Sequence, residues 1–577
     1  MIFKYLSITL ITITTLTSTL SATPIQGSLS RFHPVTSQYG MVASQEAIAS
    51  QEGLKVLQEG GNAIDAAVTV GFVLAVTLPR AGNLGGGGFM LVHIASENKT
   101  IALDYREVAP LQSQRNMYLS ETREFDPYQS RFTYKAAGVP GTVAGLFMAL
   151  DKYGTISHKR ALAPALSLAK KGITVTPSLH KSLVRAKKHL GNDTASKKVF
   201  YPEGAIPKVG SLLKQTDLAW SLQELITHKD HAFYRGSIGK KLIAAMESNK
   251  GIMEQRDLNL YKPKLRAPIK GVYRGHTILS MPSPSSGGTL LVQMLNILTP
   301  YPIQDWGHNS SKTMHVMAET MKIAYADRAQ YLGDPDYSNI PEKGLTSHAY
   351  ASVRRKLINP RKTTPSKTIQ HGLPYPYESN ETTHFSIVDQ WGNAVSNTYT
   401  LNFSYGSGKM IPGTGILLNN EMDDFSAKPG EPNAYGLIGG RVNEIAPRKR
   451  MLSSMTPTIV MKNDEVFLVT GTPGGSRIIT TTLQIIMNII DHKMNVAEAT
   501  ASPRFHHQWL PDELRIESGF NPDTLELLKQ KGHSPVLKQA MGSTQSIIRR
   551  LNPTSKTGVT LSGASDPRKS GSLTIGH

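Results

Sequence analysis

No cysteine occurs anywhere in the 577 residues of this chain. Disulfides, a thiolate nucleophile, cysteine zinc sites and a lipidated cysteine are therefore closed to it, and the fold must rest on its packed core. The length permits one large core or several domains. With 39% hydrophobic and 18% charged residues, the chain has the balance of a folded protein. The constraint matters because the chain opens like an exported one. Lys4, an apolar and threonine-rich stretch over 5–20, and a small-residue exit at Ser21-Ala22 read as a secretory signal over 1–22. That stretch is too short and hydroxyl-rich for a membrane span, and no later one is long and apolar enough. A periplasmic or secreted protein is expected, with no membrane anchor after signal removal.

The formal net charge is +20, nearly all of it ahead of residue 382. Lys181, Arg185, Lys187, Lys188, Lys197 and Lys198 contribute to it. The export signal and the lack of an arginine-rich aromatic platform argue against a nucleic-acid partner, and a solvated basic face is the plainer reading.

There is no internal repeat. Residues 46–76 have helical spacing, 83–92 read as a glycine turn entering a strand, and helical patterns dominate from about 142 to 250. The Pro-, Lys- and Thr-rich segment 359–377 has little periodicity and is expected to be exposed and mobile. Beyond it the texture changes to hairpins. Strands are expected at 384–388 and 394–400 around a turn at 390–393, and at 456–462 and 465–471 around Asn463-Asp464, followed by a buried helix over 477–490. Helices mixed with antiparallel hairpins indicate an α+β layered fold.

Several residues could carry chemistry. Thr382, in Asn380-Glu381-Thr382-Thr383-His384, stands at the mouth of a strand. A threonine that becomes a chain terminus offers a hydroxyl nucleophile and its own α-amine as base. Gly474-Gly475, in Pro473-Gly474-Gly475-Ser476-Arg477, lies at a strand-to-helix junction where free N–H groups suit an oxyanion, although a plain tight turn would look the same. Thr400 lies on the return strand of the first hairpin, which antiparallel pairing brings beside the nucleophile's strand. The acids of Glu421-Met422-Asp423-Asp424 lack the spacing of a calcium loop. Carboxylates also suit an ammonium. His506-His507 looks like a ligand pair, but adjacent residues point apart and no second ligand set has zinc spacing.

Together these motifs resemble the γ-glutamyltranspeptidase family of N-terminal-nucleophile hydrolases, over about 34–567. The resemblance implies a four-layer αββα sandwich and self-cleavage between Glu381 and Thr382, giving a large subunit (23–381) and a small catalytic subunit (382–577) that stay together as a heterodimer. It implies Thr382 as nucleophile, Thr400 as its support, and Gly474 and Gly475 as the oxyanion hole. Arg106, Ser453 and Ser454 would hold the α-carboxylate of a γ-glutamyl group. Asn402, Glu421 and Asp424 would hold its α-ammonium, and Tyr435 would cover it from a lid. The family's usual Lys-Arg-Pro stands here as Lys449-Arg450-Met451, with a small change in loop rigidity as the expected effect. The implied substrates are glutathione and other γ-glutamyl compounds, with water, amino acids or dipeptides as acceptors; no metal or cofactor is implied.

Three other readings compete. Ser167-Leu168-Ala169-Lys170 and Lys556-Thr557-Gly558 match short motifs of penicillin-interacting serine enzymes, but the intermediate Ser-x-Asn element is missing. A basic exported binding protein on a decayed enzyme scaffold is a second. A related amidase such as a cephalosporin (glutaryl) acylase is the third, and the acids at Glu421 and Asp424 favour glutamyl over glutaryl.

Overall fold

The computed structural model describes residues 31–374 and 385–577. Fourteen strands form two antiparallel sheets. In chain order they are β1 (Val35–Ser37), β2 (Met41–Ser44), β3 (Gly87–Ile94), β4 (Lys99–Tyr105), β5 (Lys264–Arg266), β6 (Ile269–Tyr273), β7 (His276–Ser280), β8 (Ser386–Val388), β9 (Ala394–Thr400), β10 (Thr458–Lys462), β11 (Glu465–Thr470), β12 (Gln545–Leu551), β13 (Val559–Ser565) and β14 (Leu573–Gly576). One sheet runs β1-β13-β12-β11-β10-β7-β6 and the other β14-β2-β8-β9-β3-β4-β5.

Alternation along the strands builds the layers. On β3, Phe89 and Leu91 face the other sheet, joining Met41, Val388, Ile459, Val469 and Ile547 in a core between the sheets. Met90 and Val92 point the opposite way, into a core shared with helices. On β10, Ile459 and Met461 face inward while Val460 enters a third core on the outer face of its sheet. A register shift in the β10–β11 ladder pairs Val460 with Leu468 but Met461 with Val466. This bulge lets Val466 and Val469, three apart, share the inner face.

Helices cover both outer faces: α1 (Ala47–Gln58), α2 (Ala63–Thr77) and α3 (Thr142–Tyr153) on the second sheet, and α4 (Gly287–Leu298), α5 (Ser311–Tyr331) and α6 (Arg477–Ile490) in the layer on the first. The α+β, four-layer expectation holds. The expected helix over 46–76 is two, because Gly60, at φ 90°, ends the first and Asn62 caps the second. Every residue of α2 is buried, as an all-round apolar helix requires. The chain's two ends meet: β2 pairs with both β14 and β8.

The segment expected to be mobile is tied down as far as residue 374, the end of its described part. Thr363 Oγ1 donates to Glu319 at 2.6 Å, Ser366 N to Asp512 at 2.8 Å and Gly372 N to Asp327 at 2.8 Å. Carboxylates from distant parts of the chain, rather than its own secondary structure, hold this segment, so periodicity could not reveal its order.

Asp65 is the clearest single fastening of the helical layer. It is fully buried and accepts from Asn62 N, Thr155 N, Thr155 Oγ1 and Ile156 N at 2.6–3.2 Å. Replacing Asp65 by Ala should orphan these donors and lower the unfolding free energy by about 2–4 kcal/mol. Denaturant unfolding checks this, and an unchanged midpoint would show that the fastening is dispensable.

Candidate active site

Every expected site residue within the described chain lines one cavity of about 410 Å³: Arg106, Thr400, Asn402, Glu421, Asp424, Tyr435, Ser453, Ser454, Gly474 and Gly475. Glu381 and Thr382 lie outside the described residues. Ser167, Lys170 and 556–558 do not line this cavity; Ser167 sits on an ordinary amphipathic helix, His158–Lys171.

Arg106 follows β4 directly and is 1% exposed. Its guanidinium donates to Glu421 Oε2 at 2.7 Å, Asp424 Oδ2 at 2.8 Å and the Met451 carbonyl at 3.3 Å, with Glu107 Oε2 at 3.6 Å. Sequence reasoning gave Arg106 and the two acids opposite tasks; the structure makes them one ion cluster. The physical reason is that a guanidinium taken out of water needs counter-charge at short range. Burial opposes its charge, but Glu421, Glu107 and Asp424 outweigh burial and hold Arg106 protonated. Burial also pushes up the carboxyls of Glu421 and Asp424, and that of Glu107 to about 7. Both Glu107 oxygens are buried without a hydrogen bond.

The acids come from a short 3-10 turn, Glu421–Asp424. The serines come from a strap held to another loop: Ser453 N donates to the Pro284 carbonyl at 2.8 Å, and Ser286 N and Oγ both donate to the Ser453 carbonyl. Ser454 Oγ accepts from Arg328 at 3.2 Å, and Arg328 also donates to Ser286 Oγ. Sequence reasoning missed Arg328, which carries no local motif and reaches the cavity only because α5 packs beneath it. Met451 also has a clear place. Its side chain packs with Met422 and Phe425, and its carbonyl receives Arg106. Its N–H, which a proline would lack, donates to no described group, so the departure from proline gains no hydrogen bond.

At the opposite wall, β11 runs out at Thr470 and α6 begins at Arg477. Gly474 has φ 145° and Gly475 φ 60°, conformations that favour glycine. Among the described residues neither N–H has an acceptor. A Cβ on Gly475 would lie 2.6 Å from the Tyr435 ring. Tyr435 leans over this turn and donates from its hydroxyl to Asn402 Oδ1 at 2.8 Å. Asn402 itself, at φ 73°, donates its backbone N–H to Thr400 Oγ1 at 2.7 Å and its side-chain Nδ2 to the Asn420 carbonyl at 3.0 Å. The arrangement offers a carboxylate grip, a surplus of buried acid for a cation, and paired free N–H donors for a developing oxyanion.

Metal-capable groups elsewhere do not converge on this cavity. His506 bonds Gln508 and Thr480, whereas His507 bonds Asp512, so the adjacent pair splits as expected. His315, Glu319 and His533 gather their ligand atoms within 4.8 Å, a cluster invisible in sequence. The Lys322 ammonium already sits 2.9 Å from Glu319 there.

The family model for γ-glutamyltranspeptidase matches residues 49–575. The chain is 51% identical to the glutathione hydrolase proenzyme of Escherichia coli strain K12, over 95% of this chain and 93% of that protein. It is 35% identical to the acylase ACY 1 proenzyme of Pseudomonas sp. strain SE83, over 93% of this chain and 94% of that one. Among solved structures, a cephalosporin acylase from Bacillus halodurans superposes with a TM-score of 0.85 at 28% identity, covering 95% of this chain and 97% of its own. The Helicobacter pylori γ-glutamyltranspeptidase superposes at 0.58 with 41% identity, covering 59% of this chain and 98% of its own. The chain belongs to the γ-glutamyltranspeptidase family.

Proposed function

We propose that this chain is an exported proenzyme that cuts itself between Glu381 and Thr382 and then cleaves γ-glutamyl amides such as glutathione. The observation that carries the reading is the single cavity joining the Arg106–Glu421–Asp424 cluster and Ser453-Ser454 to the unpaired N–H groups of Gly474 and Gly475. One end suits an α-amino-acid head, and the other suits the charge of a tetrahedral intermediate. Ser386 pairs with Ser396 and Val388 with Ala394.

In the first stage Thr382 Oγ attacks the Glu381 carbonyl, the acyl group shifts from nitrogen to oxygen, and water releases the ester. Subunits 23–381 and 382–577 remain joined because strands of both interleave in each sheet: β8 on β2, β9 on β3, β10 on β7 and β13 on β1. In the second stage the freed amine of Thr382 takes the proton from its own Oγ, which attacks the γ-carbonyl. Gly474 and Gly475 N–H groups receive the oxyanion. The amine leaves protonated, and water or an acceptor amine then attacks the glutamyl ester. Tyr435 closes the donor site from above, with Asn402 as its anchor. No helix among the described residues is long and apolar enough to cross a membrane.

The acylase reading is weaker on charge grounds. Glu107, Glu421 and Asp424 gather around Arg106, and carboxylates at this end suit a substrate ammonium, which a glutaryl group lacks. Hydrolysis of γ-glutamyl anilide over glutaryl anilide is the expected preference.

Replacing Thr382 by Ala should leave one uncut, inactive chain on a denaturing gel; normal cutting with activity would remove Thr382 from the mechanism. Arg106→Lys keeps the charge but loses the planar fork, and should raise KM for the γ-glutamyl donor about 10- to 100-fold. An unchanged KM would refute its carboxylate role. Gly475→Ala should drive a methyl into the Tyr435 ring and strain the donor turn, lowering kcat about 100-fold; kcat within a factor of two of the parent would place the oxyanion elsewhere.

A further inference from the structure

The cavity is electrically lopsided. The acids that line it, Glu421 and Asp424, are committed to Arg106. Besides Arg106 and Arg328, which holds Ser454, four cations line the rest: Arg80, Arg477, Arg515 and Lys569. Among the described residues none of the four is ion-paired. Arg80 donates to Ser178 Oγ at 3.3 Å and Arg515 to the Gln539 carbonyl at 2.8 Å, while Arg515 Nε is buried without an acceptor. The Arg477 guanidinium has only the phenols of Tyr435 and Tyr325 as nearby acidic groups, and burial keeps both phenols neutral at physiological pH.

Counter-charge acts on them from beyond ion-pair distance: Glu46 on Arg80, Glu513 and Glu517 on Arg515, and Asp566 on Lys569. Burial and then Arg477 lower the Arg515 guanidinium's affinity for its proton. Burial, followed by Arg80 and Arg185, does the same to the Lys569 ammonium. Holding like charges around one hollow costs stability that a bound anion returns.

The chain path puts this group beside the reacting centre. Arg477 is the first residue of α6, two positions past Gly475. Arg515 is tied to the carbonyl of Gln539, which together with Ala540 and Gly542 lines the cavity, and Gly542 packs against Gly474. A substrate whose amino-acid head lies on Arg106 and whose carbonyl oxygen lies at Gly474-Gly475 has its amine half left for the remaining cavity. Guanidinium groups grip carboxylates in a planar fork, which a neutral amide cannot reproduce.

We propose that Arg477, Arg515, Lys569 and Arg80 form a carboxylate subsite for the amine half of the substrate, so that the enzyme selects γ-glutamyl donors, and acceptor amines, that bear a carboxylate. This rests on the γ-glutamyl reading above. The class of compound it names is a γ-glutamyl amino acid or peptide with a free C-terminus, rather than its amide or a γ-glutamyl alkylamine.

The test compares γ-glutamylglycine with γ-glutamylglycinamide, which differ only in that carboxylate, on the self-processed enzyme. The acid should have the higher kcat/KM by about tenfold or more at low ionic strength, and the preference should shrink as salt is added. The Lys569→Gln variant, altered at an exposed rim position, should narrow the preference, and Arg515→Gln with Lys569→Gln should bring it close to unity. The fraction of chain cut and the thermal midpoint report whether each variant folds. Equal kcat/KM for acid and amide in the parent enzyme, or full preference in a folded Lys569→Gln variant together with the double variant, would overturn the subsite while leaving the γ-glutamyl activity intact. Cleavage of neither compound by the parent would overturn the γ-glutamyl reading and this one with it.

Discussion

The buried charge of Arg106 is the constraint around which the site is assembled. A guanidinium 1% exposed persists only where counter-charge and acceptors surround it. Here they arrive from three separated parts of the chain: Glu107 beside it, Glu421 and Asp424 from a 3-10 turn, and the carbonyl of Met451. Satisfying one side chain therefore fixes the relative position of the end of β4, an acidic turn and the strap carrying Ser453 and Ser454. Arg328 extends the same logic on the other side of the strap by joining Ser454 to Ser286.

The two sheets supply rigidity for that cluster and an answer to a mechanical problem. A chain cut in its middle falls apart unless each half depends on the other for its hydrogen bonds. Every seven-stranded sheet here contains strands from both sides of position 382, and the last strand, β14, pairs with one of the first, β2. Among the described residues, no strand runs along the chain through the proposed cut, so the pairings of both sheets survive it. The turn at Gly474-Gly475 stands at the end of β11, between this framework and a buried helix, so its free N–H groups are held in place before any charge develops.

Much of this was legible because it depends on local pattern. The hairpin over β10 and β11, the helix Arg477–Ile490 and the glycine turn between them follow from alternation, an Asn-Asp turn and paired glycines. Thr400 could be placed on the return strand of the first hairpin by counting along it, whereas Asn402 was legible only through the family resemblance. What stayed hidden depends on distant partners. Nothing near Arg106 announces that Glu421 and Asp424 bond to it directly. Arg328 reads as one more helical arginine. The tethering of 359–374 depends on Glu319, Asp327 and Asp512, and the cationic side of the cavity is assembled from residues 80, 477, 515 and 569. Periodicity reports burial and secondary structure; it carries no record of which buried charges meet.

The central claim is that Thr382, freed as a chain terminus, becomes covalently bonded to the γ-glutamyl group. Acid-quenching the enzyme during turnover of a γ-glutamyl donor and measuring intact fragment masses tests it directly. The account predicts a fragment beginning at Thr382 and ending at His577, part of it heavier by one γ-glutamyl group located on its first residue. A chain still uncut during turnover, or a glutamyl adduct on any other residue, would contradict it.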